Sequence, residues 1–363
     1  MALSMKIKAC LLTSVHSPFD VRIFHKEAKS LVKAGYAVTL IAQHDKEEIV
    51  DGVKIVTLQK PRNRIERMTK TVWSAYKKAL QLDADIYHFH DPELIPIALM
   101  LRKRGKRVIF DIHEDTRQQI NLKRYMSFPV RQVLSTAYAL YEDYACRKFS
   151  ALVTPQQKMT LYYGNLNKTI TVENFADLSK YPRRIPDFSK PVLFHAGGLS
   201  EDRGLYNMIN AAKNIAGQFE FFVAGKIDKS ARSLFPLNYL GYLDQNQLLD
   251  VYRKSNIGII LYNNVGQYSM AGAVKCYEYM ANSMPVIMPD FGEWLDFNRE
   301  HECGINVDVN NGKAVADAIH SLIDNPEKAK TLGENGRRWV EEKYSWQVAF
   351  KKLQVLYDEV MTG

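Results

Sequence analysis

Two glycine-containing loops, each followed by a helix, carry cationic side chains that could bind an anionic ligand. The first, FHAGGLSEDRGL (194–205), follows a predicted strand and places Arg203 before the glycine that opens a helix. The second, NNVGQYSMAGAVKCYEYMA (263–281), leads into a helix that carries Lys275 and Glu278. Free backbone N–H groups at a helix N-terminus favour anions, and an arginine adds paired donors for phosphate oxygens. The loops predict a phosphate site, with a plain turn as the alternative for the first.

The carboxylate of Glu278 allows two interpretations. Helical spacing places Val274, Tyr277 and Ala281 on one apolar face, with the glutamate at its edge. Lys275 and Glu278 could form an i,i+3 ion pair on the helix surface. Alternatively, ligand hydroxyls donate hydrogen bonds to the carboxylate, because burying it between tyrosines without donors is costly.

Alternating β-rich and amphipathic segments must position these loops. The β-rich segments of the first half are 7–13, 36–42, 53–58, 85–90, 107–113, 151–154 and 169–174. A second series comprises 192–197, 219–225, 256–262, 285–290 and 304–309. Alternation of this kind predicts parallel sheets covered by helices. The predicted fold class is therefore α/β, with two Rossmann-like, doubly wound parallel-sheet domains that face a central cleft.

The chain length of 363 residues also favours two domains, at roughly 100–200 residues for each. We predict an N-terminal domain at 1–175, a proline-punctuated linker at 176–191 and a second domain at 192–342. Residues 343–363 are predicted to form a helix that packs back on the first domain. In open α/β sheets, ligands bind outside the carboxyl ends of the strands, so functional residues are expected in the loops there.

The net charge of +9 is unevenly distributed. Residues 1–175 contain 28 Lys and Arg against 17 Asp and Glu, whereas residues 176–363 contain 21 against 23. The excess concentrates in 60–70, 102–107 and 117–132, which could attract phosphate polymers or anionic lipid headgroups or could be solvated helix faces. We expect no nucleic-acid partner, because no helix-turn-helix, zinc or RNP motif is found.

The residues 1–17 contain an apolar run that is interrupted by Lys6 and Lys8 and lacks a small-residue cleavage site. This pattern favours a first strand over a signal peptide, and no apolar run approaches the roughly 20 residues that span a bilayer. The cysteines show neither paired nor metal-ligand spacing; they are Cys10, Cys146, Cys276 and Cys303. The sequence predicts a cytoplasmic protein with buried cysteines.

Six segments carry a resemblance to a known family, in order along nearly the whole chain. They are HSPFDVRIFHKEAKSLVKAGYAVTLIA (16–42), YHFHDPELIP (87–96), FDIHED (110–115), LSEDRG (199–204), LGYLDQNQLLDVYRKSNIGIILY (240–262) and KCYEYMANSMPVIMPDFGEW (275–294). They resemble the family 4 retaining glycosyltransferases of GT-B architecture, and the last segment is the most specific. The resemblance implies a nucleotide-sugar substrate and synthesis of bacterial surface polysaccharide, such as capsule or lipopolysaccharide.

The resemblance also implies a donor site in the second domain. Glu278 matches a glutamate that binds the ribose hydroxyls, Arg203 matches a basic residue that grips the diphosphate, and Lys275 matches a lysine of many relatives. Tyr242 and Leu243 match the segment that contacts the base. The other implied donor-binding residues lie in the neighbouring loops: Gly198, Lys226, Met270, Ala271, Gly272 and Ala273.

In the first domain, His113 of FDIHED matches a family histidine that faces the sugar. His113 and Glu278 are therefore the implied catalytic residues, although a histidine after a strand is often a hydrogen-bonded structural residue. The candidates for contact with the acceptor lie in loops of the same domain: Asp20, Arg22, His90 and Asp91.

Two positions depart from the family pattern. Met270 stands where the family has the first of two glutamates, and methionine cannot accept hydrogen bonds from sugar hydroxyls as a carboxylate does. The loop HAGGL (195–199) lacks an arginine that many relatives use to bind phosphate. The resemblance therefore says less about which sugar is bound than about how the nucleotide is bound.

The leading hypothesis is retaining, metal-independent transfer of a sugar from a UDP- or GDP-sugar to a glycan or lipid-linked acceptor. No cofactor is expected, because helix N-termini and basic side chains can replace Mg²⁺ electrostatically. The basic first domain could also contact an anionic membrane at its inner face. The alternatives are a nucleotide-sugar 2-epimerase and a catalytically silent partner that only binds nucleotide.

Overall fold

The computed structural model describes residues 6–121, 126–215, 219–227 and 238–362. Contacts within the chain divide it into two units. The first unit comprises Met1–Asn174 together with Ala349–Gly363, and the second comprises Phe175–Val348.

The first unit contains an eight-stranded sheet in the order β3, β4, β2, β1, β5, β6, β7, β8. Its strands are β1 (Lys8–Leu12), β2 (Ala37–Gln43), β3 (Glu48–Val50), β4 (Val53–Leu58), β5 (Ile86–Phe89), β6 (Arg107–Asp111), β7 (Ala151–Thr154) and β8 (Thr169–Thr171). All neighbouring strands are parallel except β3 and β4. The strand order changes direction at β1, which pairs with β2 on one side and β5 on the other.

Helices connect these strands. They are α1 (Lys29–Lys33), α2 (Arg64–Glu66), α3 (Val72–Leu82), α4 (Ile95–Lys103), α5 (Thr116–Asn121), α6 (Phe128–Cys146) and α7 (Gln157–Tyr163). Helical turns of π type precede α1 at Val21–Ala28 and α3 at Arg67–Thr71, and a 3₁₀ turn precedes α4 at Pro92–Leu94.

The second unit contains a six-stranded, all-parallel sheet in the order β11, β10, β9, β12, β13, β14. Its strands are β9 (Val192–Ala196), β10 (Glu220–Ala224), β11 (Asn238–Gly241), β12 (Ile257–Ile259), β13 (Val286–Pro289) and β14 (Gly304–Val307). Here the order changes direction at β9, between β10 and β12.

The helices that follow are α8 (Leu205–Asn214), α9 (Gln245–Lys254), α10 (Val274–Ala281), α11 (Glu293–His301), α12 (Gly312–Ile323), α13 (Pro326–Glu342) and α14 (Trp346–Thr362). Short 3₁₀ turns lie at Leu178–Lys180 and Gly266–Ser269. From Ala349 onward, α14 belongs to the first unit.

Helices on both faces explain why the strands read as continuous apolar runs. Every residue of β5, β7, β12 and β13 is buried, which is typical of parallel strands covered on both sides. The predicted fold class, two doubly wound α/β domains with parallel sheets, is confirmed. The short strands β3 and β11 are absent from the prediction.

The residues 176–191, predicted as a linker, lie in the second unit. Tyr181 and Phe188 are buried there, and the backbone carbonyl of Tyr181 accepts a hydrogen bond from Arg337 at 2.7 Å. This proline-containing segment has no strand or α-helix, but it still packs within the second unit.

Candidate functional site

The loops that were predicted to bind phosphate lie where the strand order of the second sheet changes direction. One loop follows β9 and leads to α8, and the other follows β12 and leads to α10. Connections leave the two neighbouring strands in opposite directions at such a point, so a crevice opens at the carboxyl ends of the strands.

His195, near the end of β9, holds the ammonium group of Lys275. The imidazole is fully buried, and its Nδ1 lies 2.9 Å from the carbonyl oxygen of Ile259. Because a carbonyl only accepts, Nδ1 carries the proton and Nε2 has a free lone pair. That nitrogen lies 3.1 Å from Lys275 Nζ, which donates to it. Burial, together with the neighbouring ammonium group, lowers the pKa of His195 well below its usual value, so the ring is neutral.

The Lys275 ammonium lies in a tight, partly aromatic environment. It is 5.1 Å from the centre of the Tyr262 ring, and a Cβ on Gly197 would come within 3.1 Å of Nζ. Burial lowers the pKa of Lys275 to about 7; repulsion from Arg203 contributes, and attraction to Glu278 acts in the opposite direction. A lysine with this pKa gains its proton readily when an anion arrives.

Arg203 reaches the same glycine turn from the start of α8. Its Nε donates a hydrogen bond to the Tyr268 hydroxyl at 3.0 Å, and its NH1 would lie 3.3 Å from a Cβ on Gly198. The next residue, Gly204, has φ +80°, and a Cβ there would come within 1.8 Å of the Leu261 carbonyl oxygen. Only glycine fits, and it lets α8 begin beside β12.

Both cations therefore converge on the turn Gly197–Gly198. In the described part of the chain, neither Arg203 nor Lys275 forms an ion pair with a carboxylate. Two cations held together without an anionic partner favour an anionic ligand.

The N-terminus of α10 adds backbone donors near Lys275. Its capping residue, Ala273, has no side chain that can accept from the first helical N–H groups. Met270, Ala271 and Gly272 precede it and are half-buried. An uncapped helix N-terminus carries partial positive charge, so it suits the same anion as the two side chains.

Glu278 is held by two tyrosine hydroxyls instead of an ion pair with Lys275. The Tyr252 hydroxyl donates to Oε2 at 2.7 Å, and the Tyr181 hydroxyl donates to Oε1 at 3.2 Å. Burial and the carboxylate raise the pKa of both phenols, so both keep their protons. The donors that the sequence left open come from the protein. Each carboxylate oxygen accepts one of these hydrogen bonds and keeps a further lone pair, and the half-buried side chain leaves it accessible.

The other donor-binding candidates lie on loops of the second unit. Tyr242 follows β11 and is 77% exposed, with Leu243 half-buried beside it. Lys226 has an exposed side chain, and its carbonyl accepts from the amide of Leu199 at 2.9 Å, so its backbone lies against the glycine loop.

In the first unit, His113 lies two residues after β6. It is half-buried, and its Nε2 lies 3.0 Å from His90 Nδ1 and 3.6 Å from Asp111 Oδ2. The ring of His16, in the loop after β1, has its centre 5.5 Å from that of His113. The loops after β1, β5 and β6 thus bring three histidines together where the first sheet changes direction.

The structure places Asp91, which was predicted to face an acceptor, in a buried position. This carboxylate is 3% exposed, and its Oδ2 accepts from the Thr13 hydroxyl at 2.8 Å and from the amides of Ser14 and Val15 at 2.5 and 3.2 Å. Through these hydrogen bonds, the Asp91 carboxylate stabilises the loop after β1.

Arg22 and His90, also predicted to contact an acceptor, are buried as well. Arg22 is 7% exposed and donates to Asp111 Oδ2 at 2.7 Å and to the Val172 carbonyl at 2.9 Å. His90 is 2% exposed, and its Nδ1 lies 3.0 Å from Nε2 of His113. Asp20 is half-buried and accepts from the backbone amides of Arg22 and Ile23, which caps the helical segment that follows.

No helix in the described ranges is both long enough and apolar enough to cross a membrane.

Comparison with known proteins assigns both halves of the chain. Residues 21–179 match the model described as Glycosyltransferase Family 4, and residues 182–339 match the model described as Glycosyl transferases group 1. The chain is 27% identical over 176 residues to the capsular polysaccharide biosynthesis glycosyltransferase CapM of Staphylococcus aureus, covering 46% of each protein. The matches span less than half the length of the two curated relatives found.

Solved structures resemble the whole chain. Sucrose-phosphate synthase from Thermosynechococcus elongatus superimposes with a TM-score of 0.72 at 16% identity, covering 98% of this chain and all of that one. HepE of Anabaena, in complex with UDP and glucose, gives a TM-score of 0.69 at 11% identity, covering 97% of this chain and all of that one. At these identities the likeness concerns the fold.

Proposed function

We propose that this chain, which belongs to glycosyltransferase family 4 and has the GT-B fold, transfers a sugar from a UDP- or GDP-sugar to a glycan or lipid-linked acceptor. The observation that carries the proposal is the meeting of the Arg203 and Lys275 side chains at one glycine turn, with Lys275 rising from the uncapped first turn of α10. This group of donors suits a diphosphate, and the bound UDP in the HepE structure supports a nucleotide diphosphate ligand.

The rest of the donor has proposed partners in the same unit. Glu278, oriented by its two tyrosines, accepts hydrogen bonds from the ribose hydroxyls with its remaining lone pairs. Tyr242 and Leu243 contact the base. Lys226 adds charge beside the glycine turn, and Met270 lies next to the transferred sugar.

The chemical step depends on departure of the diphosphate. As the bond between the anomeric carbon and the phosphate oxygen breaks, negative charge grows on the leaving group. Arg203, Lys275 and the amides of α10 stabilise that charge more in the transition state than in the ground state. We propose that no metal is needed at the diphosphate, because these groups supply the positive charge.

Retention follows if the acceptor attacks the face that the diphosphate leaves. The acceptor oxygen then bonds to the anomeric carbon, and its proton passes to the departing phosphate oxygen. We propose that His113 contacts the sugar during this step from the first unit.

The acceptor is proposed to belong to surface polysaccharide synthesis, as the name of the relative CapM indicates for that protein. A lipid-linked acceptor would place the enzyme at the inner face of the membrane. In the first unit, α6 supports such contact: Phe128, Val133 and Leu140 are each at least 65% exposed. Of the basic segment 117–132, residues 122–125 lie outside the described residues.

Vesicle co-sedimentation tests the membrane contact. The protein should bind anionic vesicles at low salt and bind neutral vesicles weakly. Leu140→Ser should reduce the bound fraction, whereas Val355→Ser, which changes a comparably exposed apolar residue of α14, should not. Equal binding by all three proteins, or none by the wild type, contradicts a role for α6.

A thermal-shift panel of UDP-, GDP-, ADP- and CMP-sugars tests the donor site. A ligand that binds only the native state raises the Tm. Lys275→Ala should abolish the shift, whereas Lys213→Ala, at an exposed position on α8, should retain it. If no nucleotide sugar raises the Tm, the proposal is wrong.

Product analysis with the best donor distinguishes the alternatives. Transfer to cell-derived acceptors supports the proposal. Conversion of the sugar nucleotide without an acceptor would identify an epimerase, and binding without hydrolysis or transfer would identify a silent partner.

A further inference from the structure

Four side chains of the first unit bring potential ligand atoms to one buried point that the proposed transfer does not use. Glu27, His88 and Asp111 are fully buried, and His90 is 2% exposed. One ligand atom from each lies within 4.8 Å of the other three. The side chains come from the helical segment before α1, from β5 and the residue that follows it, and from β6.

Both histidines are oriented as metal-binding histidines usually are. Nδ1 of His88 lies 2.9 Å from the Tyr357 hydroxyl, and Nδ1 of His90 lies 3.0 Å from Nε2 of His113. Nε2 of each ring is buried and has no hydrogen-bond partner among the described residues. In metal sites, one ring nitrogen binds the ion while the other is fixed by a hydrogen bond.

Arg22 orients the carboxylates and leaves oxygens free. It donates to Asp111 Oδ2 at 2.7 and 3.1 Å, and its Nε lies 2.9 Å from Glu27 Oε1. Asp111 Oδ1 and Glu27 Oε2 have no hydrogen-bond partner in the described part of the chain. Glu27 Oε2 also lies only 3.5 Å from the unpartnered Nε2 of His90.

These unpartnered atoms are costly as they stand, because buried polar groups in proteins are almost always satisfied. Two carboxylates face a single guanidinium, so the cluster needs further positive charge. A proton on Glu27 provides that charge, but the resulting O–H can donate a hydrogen bond to only one neighbouring atom. A divalent cation provides a partner to two imidazole nitrogens and two carboxylate oxygens at once.

We propose that Glu27, His88, His90 and Asp111 bind a divalent transition-metal ion, with Zn²⁺ as the first candidate. Two imidazoles and two carboxylates form a donor set that suits Zn²⁺, and protein ligands at all four positions are typical of structural sites. The ion would tie β5 and β6 to the segment before α1 and would fix His90 against His113. It is separate from the diphosphate site and differs from the sequence-based expectation of no metal.

Metal content tests the site directly. The full chain, incubated with Zn²⁺ and then dialysed, should retain about one ion per chain by mass spectrometry. Excess Zn²⁺ should raise the Tm of metal-free protein by about 5 °C or more once it exceeds its dissociation constant a hundredfold. Co²⁺ in its place should give the visible absorption of a low-symmetry nitrogen and oxygen site.

Matched variants locate the ion. The double variant His88→Ala, His90→Ala should lose the retained Zn²⁺ and the Co²⁺ spectrum, whereas His320→Ala, on α12 of the second unit, should keep both. If the double variant does not fold, the wild-type measurements decide. A wild-type chain that retains no Zn²⁺ and shows no Tm increase with Zn²⁺ would overturn the proposal and leave a proton on Glu27 as the neutralising charge. UDP binding, which depends on the second unit, reports separately on the proposed function.

Discussion

Nε2 of His195 lies 3.1 Å from Nζ of Lys275, and the imidazole cannot turn away because its Nδ1 is bonded to the Ile259 carbonyl. A carboxylate at this position would neutralise the ammonium group, whereas the imidazole is neutral. It orients the ammonium group but leaves its charge available to a ligand. His195 is thus a positioning residue for the anion site.

We expect His195→Phe to weaken UDP binding about tenfold or more, because a hydrogen bond to a charged group is worth roughly 1.5–3 kcal/mol. The phenylalanine ring is planar like the imidazole, although larger, and cannot accept from Lys275. Isothermal titration calorimetry measures the effect, with His320→Ala as the control. An unchanged Kd in a folded His195→Phe protein would show that Lys275 needs no such partner.

Binding of UDP should weaken as the pH rises, because the pKa of Lys275 is lowered to about 7 by burial and by Arg203. The ammonium form is present below that pKa and is lost above it, so a diphosphate meets one positive charge fewer at high pH. For a single linked proton, Kd should rise roughly tenfold between pH 6 and pH 8.

Lys275→Arg is the matched control for this pH dependence, because arginine stays charged across the range. For Lys275→Arg, the Kd for UDP should change with pH only because the phosphates of UDP gain or lose protons. Parallel profiles for the wild type and Lys275→Arg would contradict a role for the Lys275 proton.

The fold could be predicted because central parallel strands such as β5, β7, β12 and β13 are buried along their whole length and read as apolar runs. The strands β3 and β11 were not predicted, because both lie at sheet edges and neither is fully buried. Prolines at 182, 186 and 191 indicated an end to regular structure, but Tyr181 is buried through contacts with residues far along the chain, such as Tyr252 and Glu278, and these could not be predicted locally.

The site could be predicted only where the residues lie close together in sequence. The loop with Arg203 and the helix with Lys275 each carry a local signal. His195 pairs with a lysine 80 positions later, and this contact is set by strand order, which the sequence does not display. The polar residue Asp91 looked functional because its donors, Thr13 and Ser14, lie more than 70 positions earlier.

Tyr252→Phe should separate the orientation of Glu278 from its charge. The variant removes the 2.7 Å hydrogen bond to Oε2 and leaves the carboxylate in place. We expect the free energy of unfolding to fall by about 1–3 kcal/mol, because the bond is buried and charge-assisted. The affinity of Tyr252→Phe for the nucleotide should fall less than that of Glu278→Ala. The turnover of Glu278→Ala should drop at least tenfold. Calorimetry and urea unfolding measure the two effects, and equal loss of affinity in both variants would contradict the separation.

Asp91→Ala should act on stability and not on acceptor affinity. Oδ2 accepts from a hydroxyl and from backbone amides of the loop after β1, and the variant removes these hydrogen bonds; the Val15 amide keeps a second acceptor in the Thr13 hydroxyl. We expect a loss of at least about 1–3 kcal/mol in the free energy of unfolding, the cost of leaving a buried donor without its acceptor. Urea unfolding checks this value. A stable variant with a raised KM for acceptor would instead support the sequence-based prediction that Asp91 contacts the acceptor.

His113→Ala should lower kcat at least tenfold and leave the Kd for UDP unchanged. The reason is the division of labour between the units: all proposed contacts to the nucleotide lie in the second unit, whereas His113 lies in the first. Donor hydrolysis or transfer, measured beside UDP titration and the Tm, tests this split. The control His44→Ala changes another histidine of the first unit, one that pairs with Glu48 at 2.7 Å, and should leave kcat unaltered. If kcat survives in His113→Ala while the Tm falls, the histidine is a structural residue that holds His90, and the sugar is recognised by other groups.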